Sequence, residues 1–157
     1  MKTIRTSMLC IVFALSAYVS HSQEQKVPVN EPDYNKPRLF TNLPDKIPVS
    51  ISNIDNIVAA PLGRSSSFRL SEDNSIEFAG EVVSTASKYN NSIQSVVIRS
   101  DMFNGARLTI SKITNADGSI RYTGRIISFQ HGDLYELENH EGQLVLVKKN
   151  YHELVNE

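Results

Sequence analysis

Residues 107–149 read RLTISKITNADGSIRYTGRIISFQHGDLYELENHEGQLVLVKK, and this stretch decides the fold. Leu108 and Ile110, with Ile113 as a candidate continuation, alternate with Arg107, Thr109 and Ser111. Successive side chains of a strand point to opposite faces, so a period of two with one apolar side marks a half-buried strand. Asn115-Ala116-Asp117-Gly118 reads as a turn, because glycine takes positive φ freely and Asn and Asp suit turn geometry. Ser119 to Phe129 is a second strand. Gln130-His131-Gly132 turns the chain into Asp133 to Glu138, and Asn139-His140-Glu141-Gly142 turns it again into Gln143 to Lys149. Connections this short make neighbours antiparallel, so the four strands form one meander. Leu144-Val145-Leu146-Val147 is apolar on both faces, as a strand covered on both sides would be.

The same alternation runs back toward the start. Ile47, Val49 and Ile51 face opposite Pro48, Ser50 and Ser52, and residues 53–60 suit a short helical turn stopped by Pro61-Leu62-Gly63. Phe68 with Leu70, then residues 76–82 and 92–99, supply further short strands. The predicted fold is mainly β: a small antiparallel meander forming a curled sheet, sandwich or open barrel, with an extended N-terminal arm. Residues 47–157 make the single domain. Residues 23–46 make the arm, since Pro28, Pro32, Pro37, Pro44 and Pro48 crowd its length and edge, and proline favours neither helix nor central strand. Asn150 and Glu153 have the spacing of a capping box, so residues 151–156 are expected to form a closing helical turn.

Residues 1–22 read as a signal peptide. Lys2 and Arg5 precede an apolar run from Met8 to Val19, and Ser20-His21-Ser22 offers small residues where a signal peptidase cuts. Cleavage after Ser22 leaves 135 residues with 14 basic and 17 acidic groups, and removes Cys10, the one cysteine. The expected location is therefore secreted or periplasmic, with no thiol chemistry and no disulfide frame. Sixteen basic against 17 acidic residues in the whole chain give no electrostatic footprint for nucleic acid. The mature part holds no apolar stretch of the roughly 18 residues that a transmembrane span needs.

Chemistry-bearing residues are few. His152-Glu153 opens like a zinc-protease motif, but Asn156 stands where the second histidine belongs. His131 and His140 flank a strand, which separates them by roughly 17 Å, too far to share one metal ion. Glu136 and Glu138 share a strand face about 7 Å apart, a spacing that glycoside hydrolysis can use. Arg99, Arg107, Arg121 and Arg125 lie on nearby strands, so cross-strand ion pairs on a solvated face are the plainer reading. Gly63-Arg64-Ser65-Ser66-Ser67 reads as a mobile linker. No catalytic, metal or cofactor residue is assigned. The candidate partner-binding residues are Tyr34, Phe40, Arg121, Arg125, Glu136 and Glu138.

Three segments, Phe78-Ala79-Gly80-Glu81-Val82, Arg121-Tyr122-Thr123-Gly124-Arg125-Ile126-Ile127 and Gly132-Asp133-Leu134-Tyr135-Glu136-Leu137-Glu138, together resemble the prodomains of secreted reprolysin-type (adamalysin-like) metalloproteases. The resemblance spans residues 78–147 and implies a prodomain-like protein that binds a partner, such as a protease, outside the cytoplasm. The 157 residues contain no protease domain, and the cysteine switch usual in that family has no counterpart after cleavage. The expected function is a non-catalytic β-rich binding module whose partner is another extracytoplasmic protein. The alternatives are a small extracytoplasmic hydrolase using paired carboxylates and an envelope assembly protein pairing through exposed strand edges.

Overall fold

The computed structural model describes residues 35–73 and 75–152, and of Ser66 the backbone alone. The leader, the first half of the arm with Tyr34, and Glu153 of the expected capping box lie outside the described residues. The elements are β1 (Lys46–Val49), α1 (Ile51–Val58), β2 (Ser65–Arg69), β3 (Glu77–Lys88), β4 (Ile93–Ser100), β5 (Arg107–Thr114), β6 (Ile120–Ile127), β7 (Asp133–His140) and β8 (Gln143–Asn150). All eight strands belong to one sheet in the order β1-β8-β7-β6-β5-β4-β3-β2, every pairing antiparallel. The sheet curls into a half-barrel, which selects the curled sheet among the three expected shapes.

Alternation decides which residues fill the hollow. Val96 and Ile98 of β4 register with Ile110 and Leu108 of β5, and all four are buried. Ile126 of β6 registers with Leu108 and with Tyr135 of β7, and Leu137 of β7 registers with Leu146 of β8; all are buried. Helix α1 closes the hollow with Ile54 and Ile57, three residues apart and both 1% exposed. Its N-cap, Ser50, accepts a hydrogen bond from the Asn53 amide at 3.2 Å, satisfying one of the amides a helix start leaves unpaired. A cross-link fixes the helix to the sheet: Asp55 takes the ammonium of Lys112 at 2.7 Å and the phenol of Tyr122 at 2.9 Å.

Several expectations need correction. The arm does not stop short of the domain over its described half. Leu39 and Phe40 donate their amides to the buried Asp133 carboxylate at 2.6 and 2.8 Å, Gly132 donates to the Pro37 carbonyl, and the Tyr135 phenol donates to the Pro44 carbonyl. Phe40 is 1% exposed and packs its ring against Phe103 and Tyr135. It is a core residue, unavailable to a partner. Ser65 to Ser67, expected as a mobile linker, belong to strand β2. Strand β3 runs six residues past Val82, to Lys88, through an irregularity between Val82 and Ser84. Ile51 starts the helix and is exposed, and Ile113 stands opposite Ile93 on the convex face instead of beside Ile110.

Two glycines in the segments quoted for the prodomain resemblance have a local reason. A Cβ on Gly80 would lie 2.1 Å from the Arg99 carbonyl oxygen, and one on Gly124 would lie 2.7 Å from that of Thr109. Both sites mark close backbone approach within the curled sheet.

Candidate functional site

Four of the six candidate partner-binding residues stand on the convex face. Arg125 of β6 registers with Glu136 of β7, their side chains 3.5 Å apart. Lys149 of β8 lies 2.9 Å from Glu136 and 2.6 Å from Glu138, and Glu138 also holds His140 at 2.9 Å. The result is a ladder of alternating charge, Arg125–Glu136–Lys149–Glu138, across three strands, with the His140 ring against its last carboxylate. Arg121 is exposed on the same face, four residues from Arg125, which puts it about 13 Å away along the strand. It makes no ion pair among the described residues.

Glu138 and Lys149 each favour their charged form. Hydrogen bonding from Lys149 draws the Glu138 carboxyl below its usual range, and the two glutamates push the Lys149 ammonium above its own. A general acid in glycoside hydrolysis needs a raised carboxyl pKa, the opposite direction. A shallow hollow of about 320 Å³ beside the ladder is lined by Thr109, Ser111, Thr123, Arg125 and Glu136, and Glu138 is not part of it. These carboxylates form an ion-pair network with Arg125 and Lys149.

Two other polar groupings invite a chemical reading and have structural duties. Ser128 Oγ lies 2.8 Å from His131 Nδ1, but the serine is wholly buried and also reaches the Asn104 carbonyl. It closes the turn that the sequence placed at Gln130-His131-Gly132. In the Asp55–Lys112–Tyr122 cross-link, hydrogen bonding to Asp55 raises the lysine, while burial and then Asp55 raise the phenol. Both therefore keep their protons, whereas a base or nucleophile would need one group lowered. His131 precedes β7 and His140 is its last residue, so the two stand at opposite ends of the strand, as the meander requires. Among the described residues, no group of three or more His, Cys, Asp or Glu is placed to hold a metal ion. None of the described helices is long and apolar enough to cross a membrane.

A cavity of about 500 Å³ lies between α1 and the outer strand β2, lined by Asn53, Asn56, Ile57, Arg64, Phe68 and Arg69. Sequence reasoning missed it, because a run of three serines carries no strand signal of its own. The available clue was Arg64 and Arg69, which bracket a run with no acidic residue.

Comparison with protein-family models, curated proteins and solved structures gave no match. The class of the protein rests on its own geometry: a single-sheet β half-barrel, plugged by one short helix, with a charged convex face.

Proposed function

We propose that this chain is a non-catalytic β-rich binding module that works outside the cytoplasm and recognises another protein there. The carrying observation is the ladder from Arg125 to Glu138, whose alternating charges are fixed across three strands and partly exposed. Fixed charge patterns select partners by complementarity and suppress wrong ones. The leader and the absence of thiols after its cleavage support the location, and the prodomain resemblance supports a secreted protease as the partner class.

The test pairs binding with turnover. Mature protein is incubated with a panel of secreted metalloproteases, and complexes are read by gel filtration and by residual protease activity. A complex that Glu136→Lys with Glu138→Lys weakens, in a variant of unchanged circular dichroism, supports the reading. Turnover of a glycoside substrate that disappears in Glu138→Gln overturns it in favour of a hydrolase.

A further inference from the structure

The two edges of the sheet are finished differently. In β1, Lys46 and Pro48 turn their backbone groups away from β8. Pro48 has no N–H to offer, and its carbonyl accepts the Glu72 amide at 2.8 Å from the segment that follows β2. That edge is blocked at Pro48. In β2 the bonded positions are set by both flanks: the Val82 amide donates to the Arg64 carbonyl at 2.9 Å, and the Leu70 amide donates to the Ile76 carbonyl at 2.8 Å. Antiparallel bonding alternates along a strand, so Arg64, Ser66, Phe68 and Leu70 turn toward β3. Ser65, Ser67 and Arg69 turn away from it, and among the described residues nothing bonds their N–H or C=O groups.

The surroundings of this open edge give it a preference. The cavity of about 500 Å³ runs alongside, with Ile57 at its base and the Asn53 and Asn56 amides on its wall. Arg64 and Arg69 are five residues apart, about 17 Å along an extended chain. Both are exposed, and neither makes an ion pair among the described residues. Glu77, directly opposite Arg69, is taken instead by the Ser67 hydroxyl at 2.7 Å.

We propose that β2 accepts an extended segment of a partner protein as a ninth strand, about five residues long and carrying a carboxylate near each end. The inference rests on the binding-module reading and names the segment chemistry such a module takes. Main-chain bonds to Ser65, Ser67 and Arg69 hold the segment, alternate side chains drop into the cavity under α1, and the two arginines read the acidic ends. Two copies of β2 pairing with each other would gain no such charge match, because the run from Arg64 to Arg69 has only positive charges.

The probe is a labelled peptide, acetyl-DVTVTD-amide, titrated against the mature chain and followed by anisotropy and amide NMR shifts. The expected result is saturable binding that moves the Ser65, Ser67 and Arg69 amides, with acetyl-KVTVTK-amide weaker by roughly threefold to tenfold. Arg64→Glu with Arg69→Glu reverses that preference. Ser67→Pro removes an outward amide donor and the exposed hydroxyl bond to Glu77 but no backbone bond to β3, so it keeps the circular dichroism and loses the peptide. Equal binding of both peptides, shifts confined to another surface, or no binding at millimolar peptide overturns the inference. So does a dimer in sedimentation that Ser67→Pro dissolves. None of these results alters the response of Glu136→Lys with Glu138→Lys, which reads the broader function separately.

Discussion

Arg99 of β4 stands directly opposite Arg107 of β5 on the convex face. Like charges placed so are unfavourable, and the sheet compensates only one of them: Glu81, on the other side of Arg99, forms its ion pair, while Arg107 has none among the described residues. Arg107→Glu should therefore stabilise the fold by about 0.2–1 kcal/mol. Thermal denaturation should show a midpoint a few degrees higher at low salt, with the gain shrinking at 1 M salt. An unchanged midpoint at both salts would show that the two guanidinium groups avoid each other at no cost.

Asp133 is 2% exposed and spends both carboxylate oxygens on the arm. Asp133→Ala leaves the Leu39 and Phe40 amides without acceptors and should cost about 2–4 kcal/mol in urea unfolding. Asp133→Asn keeps one acceptor and should cost less. Hydrogen exchange should quicken first at Leu39 and Phe40. Equal protection of those amides in all three proteins would refute the clamp.

Gly80 and Gly63 separate two reasons for needing glycine. Gly63 has φ of 77° with open space around its missing Cβ, whereas Gly80 faces the Arg99 carbonyl. Gly63→Ala should cost about 1 kcal/mol from left-handed backbone alone. Gly80→Ala forces β3 and β4 apart and should cost about 3 kcal/mol. Denaturant midpoints in the reverse order would contradict the close approach.

Two carboxyls should titrate low. The hydroxyls of Ser71 and Ser75 hold Asp73 at about 2, against 3.8 ordinarily, and Lys149 draws Glu138 below 4.5. A carboxyl lowered in the folded state contributes stability above its unfolded pKa, and that stability is lost as pH falls through the folded value. The Asp73 contribution should thus fade between pH 3.8 and about 2, and that of Glu138 should start to fade below pH 4.5. Carboxyl NMR titration checks both: Ser71→Ala should raise Asp73, and Lys149→Met should raise Glu138. Ordinary midpoints in the unaltered protein would remove the basis for this prediction.

The strands from Arg107 to Asn150 were legible because one face of each is buried, which imprints a period of two on the sequence. The register that joins Arg125 to Glu136 was not, since it depends on turn geometry and curl. Strand β3 past Val82 left no signal: Ser84, Thr85, Ala86 and Ser87 are all exposed, so neither face needed apolar residues. The first residues of strand β2, Ser65 to Ser67, were hidden for a related reason, the strand's only buried side chain being Phe68 among those described. Phe40 misled because the five prolines around it suggest an extended arm outside the domain. Its burial depends on Asp133, 93 residues away, which no local pattern reveals.

The unequal finish of the sheet's two edges sets how far such a protein can assemble. The carbonyl of Pro48 is already occupied by Glu72, and its ring nitrogen offers no hydrogen, so β1 cannot receive a newcomer there as β2 can. Growth of a stack requires two receptive ends on every member. A molecule with one receptive end joins once and then terminates the row, so at high local concentration this chain caps sheets rather than building fibrils.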